Sequence, residues 1–346
     1  MSAGYRLTKN APLLGRNTFG VAATAPWLVE VDDARALPEV LALPQVAQAP
    51  ALVIGGGSNL LFAGDPEGAV LCLCSRDVAV LGDDGRHARV RADAGMPWHP
   101  FVQWTLQQGY AGLENLSLIP GTVGASPIQN IGAYGTEAGE FIATVEALDR
   151  RSGELRRLAR EDCAFAYRDS VFKRQPNRWL VTAVEFLLPR TPRLRLDYAG
   201  IREELAAMGI AAPTASNVGE AVVRIRRRKL PDPAAIGNAG SFFKNPLVPQ
   251  AQAEALQAAF PALPMFRGDT PHDRKLSAAW MIEACGWKGH REGDAGVSAA
   301  HALVLVNHGR ASGAELLSLS RRIAASVRDR FAVAIEPEPK IIGATW

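Results

Sequence analysis

Short apolar runs, each ended by Gly, Pro or Asp, fill the chain up to residue 190. Runs such as ALVIGGGSNLLF, GAVLCLC and WLVTAVEFLL have the length of strands, and the residues that end them favour turns. One segment differs, because MPWHPFVQWTLQQG (96–109) has Pro97 in its first turn and Gly109 as a stop signal, which predicts a helix. The pattern therefore predicts a β-rich α+β N-terminal part.

From Tyr198 onward the pattern changes to helical spacing. Ile201, Leu205 and Met208 recur on one face of a predicted helix. Further helices are predicted over 216–229, 250–260, 275–286 and 312–331. The last of these begins with Ser312 and Glu315, the spacing of a capping box. Strands predicted over 301–307 and 332–343 complete a smaller α+β C-terminal part.

Composition narrows the class of protein. The chain has 346 residues, 48% of them hydrophobic, with 38 Lys+Arg against 35 Asp+Glu. This length suggests two or three domains, and the composition excludes intrinsic disorder. Near-balanced charge argues against a nucleic-acid partner. No apolar run is long enough to predict a membrane span, and the N-terminus lacks an apolar signal core, which is typical of a mature protein.

The four cysteines, Cys72, Cys74, Cys163 and Cys285, show no metal-binding spacing. No metal site is therefore predicted. We interpret them as buried thiols of a reducing cytoplasm.

Three consecutive glycines follow an apolar strand in VIGGGSNL (53–60). Without Cβ atoms, several N–H groups can converge there on an anion. Neither GK[ST] nor a GxGxxG that opens a helix is present, so two common phosphate-binding motifs do not apply. The segment predicts either an anion-binding turn or a tight hairpin.

A second glycine-rich segment, LIPGTVGASPIQNIGAYG, covers 118–135. It is too apolar for a solvated loop and too broken for a regular element. Such a stretch suits backbone wrapped against a flat ligand with polar edges, and the alternative is a buried irregular crossover. Two such segments in the β-rich half together favour a large cofactor.

VIGGGSNLL, IPGTVGASPIQNIGAYG, YRDSVFK, KLPDP, GNAGSFFKNP and the late IEPE carry a resemblance. In these motifs and their order, from Asn17 to Glu336, the chain resembles the UDP-N-acetylenolpyruvoylglucosamine reductase family. The resemblance implies an FAD-binding domain of the vanillyl-alcohol-oxidase (PCMH) type, with two subdomains, over 17–190. It further implies a tyrosine-loop insertion and linker, containing Asp197-Tyr198-Ala199-Gly200, over 191–214, and a smaller substrate-binding α+β domain over 215–342.

The resemblance also implies the activity. Hydride passes from NADPH through non-covalent FAD to the enolpyruvyl group of UDP-N-acetylglucosamine enolpyruvate, which forms UDP-N-acetylmuramate for peptidoglycan synthesis. We expect a cytoplasmic monomer with no nucleic-acid or membrane partner. Ala125 stands where many members have glycine, a departure that would tighten the flavin contact slightly. The implied FAD-binding residues are Ile54, Gly55, Gly56, Gly57, Ser58, Asn59, Ile119, Pro120, Gly121, Thr122, Gly124, Ala125 and Gln129.

Hydride addition at C3 of the enolpyruvyl ether leaves negative charge at C2, spread into the adjacent carboxylate. This chemistry needs a cation or hydrogen-bond donor at the carboxylate and a proton source at C2. Arg168, in AFAYRDSVFK, is implied to bind the carboxylate. From spacing alone, a salt bridge to Asp162 or Asp169 is the competing interpretation.

Ser241 in GNAGSFFKNP is the implied proton donor to C2, with a turn serine as the alternative. No GxSxG elbow surrounds it, which argues against a hydrolase nucleophile. Glu336 in AIEPEP is implied to donate a hydrogen bond to the enolate or to position a water, if burial keeps it protonated. A surface glutamate is the alternative, and Glu338 is the competitor if the alignment is shifted by two residues.

The implied substrate-binding residues are Tyr134, Tyr198, Arg226, Lys229 and Asn245. Arg226 and Lys229 come from the basic run RIRRRK (224–229), which by itself is typical of a solvated helix end. Tyr198 would reach the substrate diphosphate from its loop.

Two other functions remain open at this stage. One is an FAD-dependent oxidase of an alcohol or hydroxy acid. Many such enzymes attach flavin through His or Cys, which neither glycine segment contains. The other is a regulator that binds flavin or a nucleotide sugar without turnover.

Overall fold

The computed structural model describes residues 4–48, 51–198, 200–268 and 270–346. The chain divides into two compact units. The first unit comprises Met1–Ala11, Ala25–Gly56 and Glu67–Arg228, and the second comprises Pro12–Thr24, Gly57–Pro66 and Lys229–Trp346. The second unit thus contains two early segments together with the long C-terminal one. Ala199 of the predicted tyrosine loop lies outside the described residues.

Helices and strands alternate irregularly along the described chain, which confirms the mixed α+β class. The strands are β1 (Tyr5–Pro12), β2 (Thr24–Val31), β3 (Leu52–Ile54), β4 (Leu60–Phe62), β5 (Val70–Leu73), β6 (Val78–Asp83), β7 (His87–Asp93), β8 (Gly132–Ala133), β9 (Thr136–Glu137), β10 (Ile142–Asp149), β11 (Glu154–Ala159), β12 (Trp179–Pro189), β13 (Leu247–Pro249), β14 (Met265–Arg267), β15 (Asp273–Leu276), β16 (Arg291–Glu292), β17 (Ala295–Val297), β18 (Leu305–Asn307) and β19 (Lys340–Ile342). The helices are α1 (Leu37–Ala42), α2 (Pro44–Ala47), α3 (Trp98–Gln107), α4 (Val171–Arg174), α5 (Ile201–Ala207), α6 (Ala215–Lys229), α7 (Gln250–Ala259), α8 (Ala278–Ala284) and α9 (Gly313–Phe331).

The first sheet of the first unit has the order β1-β2-β5-β3, and β5 runs parallel to both β2 and β3. All four residues of β5 are buried, as expected for a strand that is covered on both faces and has an unbroken apolar sequence. β3 ends at Ile54, so the first glycine segment begins where this strand leaves the sheet.

The second sheet of this unit is antiparallel, with the order β11-β10-β12-β7-β6. Alternation along β7 buries Val90 in the core and turns Arg91 to the other face, where it pairs with Glu146 at 3.0 Å. Helix α3 adds Trp98 and Phe101 to the same core. It ends before Gly109, whose φ of 76° is the left-handed stop that the sequence predicts.

A smaller apolar cluster joins helices α5 and α6 of the first unit. Ile201 and Leu205 of α5 pack there with Val218 and Val222 of α6. Tyr134 and two residues of the predicted tyrosine loop, Leu194 and Leu196, pack against this cluster. Tyr134 and the tyrosine loop are therefore both attached to helices α5 and α6.

The second unit contains the sheets β13-β15-β14, β16-β17-β18 and β19-β4. The predicted capping box of α9 is confirmed, since Ser312 Oγ accepts the Glu315 N–H and the Glu315 carboxylate accepts the Ser312 N–H. The predicted strand over 332–343 is much shorter, because Pro337 and Pro339 have no N–H to donate to a ladder. Only β19 remains of it.

None of the four cysteines takes part in a disulfide. Cys72 and Cys163 are buried as expected, whereas Cys74 and Cys285 are partly exposed. Among the described residues, none of the helices combines the length and the apolar composition needed to cross a bilayer.

Candidate functional site

The two glycine segments contact each other within the first unit. A Cβ added to Gly56 would lie 3.0 Å from the Gly121 Cα atom, and one added to Gly55 would lie 2.5 Å from the Thr122 Oγ1 atom. The Gly56 backbone therefore lies against the Gly121 backbone, and the Gly55 backbone lies against the Thr122 side chain, more closely than a Cβ atom would allow. We call these two contacting segments the cradle, and their closely packed glycines fit the predicted binding of a large cofactor.

The predicted cofactor residues do not all belong to one unit. Gly57, Ser58 and Asn59 lie in the second unit, where the Gly57 carbonyl accepts the Thr18 N–H at 3.1 Å. Gly57 has a φ of 63°, which explains why glycine stands there. Asn59 accepts the Lys340 N–H at 3.0 Å, so this part of the motif is fixed to the C-terminal segment.

Backbone strain concentrates in the second glycine segment. Leu118, Asn130 and Tyr134 have φ values of 59°, 48° and 49°, a region that non-glycine residues seldom adopt. The Leu118 peptide is held on both sides, because His99 Nδ1 accepts its N–H at 3.0 Å and Arg226 Nε donates to its carbonyl at 3.2 Å. Such tethering is what keeps a strained conformation populated.

Arg168 lies against this same segment. Its Nη2 atom donates to the Gly132 carbonyl at 2.8 Å, and its φ of 52° is also strained. Asp169, one of the two acids that competed for Arg168 in the sequence analysis, forms an ion pair with Arg174 at 3.4 Å. The guanidinium is therefore positioned by backbone of the predicted cofactor segment.

Three of the predicted substrate residues meet in the first unit. The rings of Tyr134 and Tyr198 lie 5.1 Å apart in an edge-to-face contact. Burial raises the pKa of the Tyr134 hydroxyl, and the nearby Arg226 partly opposes this shift. Tyr198 remains 50% exposed, so the ring pair has one partly buried and one exposed member.

Ser241 lies in the second unit on an extended segment between two others. The next residue, Phe242, donates its N–H to Leu303 at 2.7 Å and accepts the Glu338 N–H at 2.7 Å. Ser241 itself forms an isolated bridge with Val304. Gly240, directly before it, has a φ of 69°, which sets the turn that leads into the serine.

The two candidate carboxylates differ in environment. The Glu336 side chain is 71% exposed and forms an ion pair with Lys244 Nζ at 3.5 Å. Glu338 is half-buried, and its carbonyl accepts from Asn59 Nδ2 at 3.4 Å. The burial expected of the catalytic carboxyl is therefore absent at Glu336 and partial at Glu338.

The remaining predicted substrate residues lie in the second unit. Asn245 Oδ1 accepts the Ala278 N–H at 3.0 Å, at the start of α8, a capping contact that sequence reasoning missed. Lys229 is exposed. Arg168 belongs to the first unit, and Ser241 with both candidate glutamates belongs to the second. The convergence of these groups stays a prediction.

Sequence reasoning also missed two residues that hold the tyrosine loop, Asn115 and Arg195. Their partners lie 19 to 80 residues away along the chain, so no local pattern marks them. The described residues contain no group of three metal-ligating side chains.

Comparison with known proteins places these features in a family. The family model for the C-terminal domain of UDP-N-acetylenolpyruvoylglucosamine reductase matches residues 232–342, and that of an FAD binding domain matches residues 25–159. The chain is 60% identical to the UDP-N-acetylenolpyruvoylglucosamine reductase of Xanthomonas euvesicatoria pv. vesicatoria over 343 residues, 99% of this chain and 98% of the relative. It is 60% identical to that of Xanthomonas campestris pv. campestris over 342 residues, with the same coverage. The crystal structure of the reductase from Thermus caldophilus superimposes with a TM-score of 0.68 at 25% identity, covering 97% of this chain and 98% of that one.

Proposed function

Because the chain belongs to the UDP-N-acetylenolpyruvoylglucosamine reductase family, we propose how its own residues carry out the family's reaction. The protein is an FAD-dependent oxidoreductase, a UDP-N-acetylmuramate dehydrogenase. It uses NADPH to reduce UDP-N-acetylglucosamine enolpyruvate to UDP-N-acetylmuramate in peptidoglycan precursor synthesis. The observation that carries this conclusion is the 60% identity that extends over the full length of the relatives.

FAD, when bound, carries hydride from NADPH to C3 of the enolpyruvyl group. The residues that would hold it are the contacting glycine segments at 54–59 and 119–129. Their missing Cβ atoms leave N–H groups accessible to the pyrophosphate. Tethering of the Leu118 peptide by His99 and Arg226 would keep the second segment in its strained form without FAD.

Arg168 is proposed to bind the substrate carboxylate. Hydride arrival at C3 sends an electron pair toward C2 and into this carboxylate, so its charge grows in the transition state. A guanidinium that is already fixed to the Gly132 carbonyl needs little reorganisation to stabilise that charge.

Ser241 is proposed to deliver the proton to C2. A serine hydroxyl is a weak acid in water, and it acts as a donor only beside a strongly basic centre in a dry site. The bonds of Phe242 on both sides of the segment support this role, because they fix the backbone next to the hydroxyl.

We propose Glu338, in place of Glu336, as the carboxyl that hydrogen bonds the developing enolate. The half-buried position of Glu338 and its N–H bond to Phe242, next to Ser241, support the assignment. Glu336 is left as a surface partner of Lys244.

Tyr198, Arg226, Lys229 and Asn245 are proposed to contact the diphosphate and carboxylate end of the substrate, with Tyr134 beneath Tyr198. The Nδ2 group of Asn245 is the one offered to substrate, since its Oδ1 atom caps α8.

The proposal also covers organisation and location. The FAD-binding part would comprise 17–190, the tyrosine-loop insertion 191–214 and the substrate domain 215–342, as the sequence suggests. Four cysteines without a disulfide fit a reducing cytoplasm, and we propose that the protein is a monomer. Gel filtration with light scattering tests the monomer.

The decisive experiment separates the two half-reactions. Purified FAD-loaded protein is reduced anaerobically with NADPH, and UDP-N-acetylglucosamine enolpyruvate is then added while flavin absorbance is followed. We expect full bleaching and then rapid recovery with formation of UDP-N-acetylmuramate. Absence of recovery would overturn the proposed function, and recovery only on admission of oxygen would indicate an oxidase.

A further inference from the structure

Arg195 is part of the loop that carries Tyr198, and it touches none of the groups expected to react. We infer that Arg195, through an ion pair with Glu140, is a positioning residue that fixes where Tyr198 meets the substrate. This inference rests on the proposed function, because it assigns Arg195 a role in binding the nucleotide-sugar diphosphate.

The Arg195 guanidinium bonds two different elements. Its Nη1 atom donates to the Gly135 carbonyl at 2.6 Å and to Glu140 Oε1 at 2.8 Å. Its Nη2 atom donates to Glu140 Oε2, which completes a two-pronged contact with the carboxylate. One side chain therefore joins the loop to the turn that follows Tyr134 and to the short helical turn at Ala138–Glu140.

A buried amide connects the backbones of the same two segments. Asn115 is 1% exposed, and its Nδ2 atom donates to the Tyr134 carbonyl at 2.9 Å and to the Arg195 carbonyl at 3.0 Å. Both N–H groups of one rigid amide are thus used to hold Tyr134 and Arg195 at a fixed separation. The strained φ of Tyr134, 49°, is maintained at this contact.

These contacts bear on Tyr198 because only two residues separate it from Arg195. Leu194 and Leu196, on either side of Arg195, pack against the cluster of α5 and α6. Beyond Leu196, the ring of Tyr198 rests on that of Tyr134 at 5.1 Å. The position of the Tyr198 ring therefore follows from where the Arg195 backbone is held.

Local structure fixes the orientation of the Glu140 carboxylate that binds Arg195. Its carboxylate also accepts the Glu137 N–H at 2.9 Å, in a capping box. Arg195, the Glu137 N–H and Arg160 lower the pKa of Glu140, against the effect of its burial. Glu140 is therefore a carboxylate at neutral pH, held in the geometry that Arg195 needs.

The side chains of the pair are 44% and 33% exposed, so folding does not depend on it. Leu194, Leu196 and Asn115 would still attach the loop in its absence. We therefore expect its loss to alter the reach of Tyr198 and to leave the stability of the protein largely unchanged.

The test is Arg195→Met, which keeps the aliphatic stem and removes the guanidinium. We expect KM for UDP-N-acetylglucosamine enolpyruvate to rise about fivefold, the size that a partly exposed two-pronged pair supplies. The rate of flavin reduction by NADPH and the FAD content should remain within about twofold of wild type. The melting temperature should remain within about two degrees. Arg195→Lys keeps the charge but not the two-pronged geometry, so its KM should lie between those of wild type and Arg195→Met.

Because the substrate is an anion, loss of any cation raises KM to some extent. Arg202→Met controls for this effect, since Arg202 pairs with Asp197 in the same stretch at 2.7 Å and is more exposed. The inference would be overturned if Arg195→Met raised KM by no more than Arg202→Met does.

Arg195→Met is also measured in a Tyr198→Phe background. If Arg195 acts through Tyr198, Arg195→Met should raise KM little further once the Tyr198 hydroxyl has been removed. Independent, additive effects of the two substitutions would overturn the inference while the proposed function stands. Failure of the wild-type enzyme to use this substrate would instead refute the proposed function, and the inference with it.

Discussion

A hydroxyl that gives up a proton only after hydride arrives should matter in one half-reaction alone. We expect Ser241→Ala to slow reoxidation of the reduced enzyme by UDP-N-acetylglucosamine enolpyruvate about 10²–10⁴-fold, the range for loss of a positioned general acid. Flavin reduction by NADPH should stay within twofold of wild type, which stopped-flow absorbance measures directly. Equal slowing of both half-reactions would indicate a misfolded pocket, and no slowing would exclude Ser241 as the donor.

The two C-terminal glutamates provide a matched pair. Glu338→Gln should slow substrate-dependent reoxidation about 10²-fold or more, because it removes a preorganised carboxyl from beside the enolate. Glu336→Gln changes a side chain that is 71% exposed, so kcat should remain within twofold. If Glu336→Gln slowed the reaction more than Glu338→Gln, Glu336 would be the catalytic carboxyl, as first predicted from the sequence.

The contact between glycine segments belongs to the scale of elements. Gly56→Ala puts a methyl group 3.0 Å from the Gly121 Cα atom, so one of the two backbones must shift. We expect this overpacking to cost about 1–3 kcal/mol of free energy. If that cost falls on the cofactor cradle, FAD affinity weakens about tenfold, as flavin fluorescence on dilution would report.

Gly82→Ala is the control for this prediction. Gly82 also lies in the first unit, and a Cβ added there meets nothing within 4 Å. It should leave FAD affinity unchanged. Similar weakening by both substitutions would refute the cradle.

Elements that carry their own signals were predicted well from the sequence. The capping box at Ser312 and Glu315 located the start of α9, and the glycine at 109 located the end of α3. These signals are local, because caps and stops act through hydrogen bonds within one turn.

Contacts between distant residues could not be predicted in this way. Glu140 and Arg195 are 55 residues apart, and each resembles any surface charge. The choice between Glu336 and Glu338 depends on which is covered, and alternation gives no answer where prolines interrupt the strand. Phe19 belongs to the second unit, where the centre of its ring lies 6.2 Å from that of Phe242, a contact that composition cannot reveal.

For the whole molecule, the histidines determine how stability responds to mild acid. Burial lowers the pKa of His99, with Arg227 and Arg226 as the charged groups that add to the shift. Burial likewise lowers the pKa of His301, where Lys229 and Lys288 add to the shift and Glu283 opposes it. Both side chains therefore stay neutral in the folded state at a pH where the unfolded chain already protonates them.

Stability should fall as pH drops through the unfolded histidine pKa of about 6.5, because the unfolded state then binds more protons than the folded state. The loss should continue until the lower, folded-state values are passed. Carboxylates with lowered pKa, such as Glu140, add their own loss only below about pH 4.5. Between pH 7 and 5 the histidines therefore lower stability, whereas Glu114, whose pKa burial raises, opposes this loss because it takes up its proton more readily in the folded state.

Urea midpoints measured across that interval test this prediction. His99→Asn and His301→Asn remove the titrating group but retain a side-chain oxygen that can accept the N–H groups of Leu118 and Leu303, which the histidines now accept. The double variant should lose less stability between pH 7 and 5 than wild type does. The slope that remains is expected from His308, whose pKa burial also lowers, and from Glu114, which acts in the opposite direction. An unchanged slope in the double variant would mean that neither histidine is kept neutral by the fold.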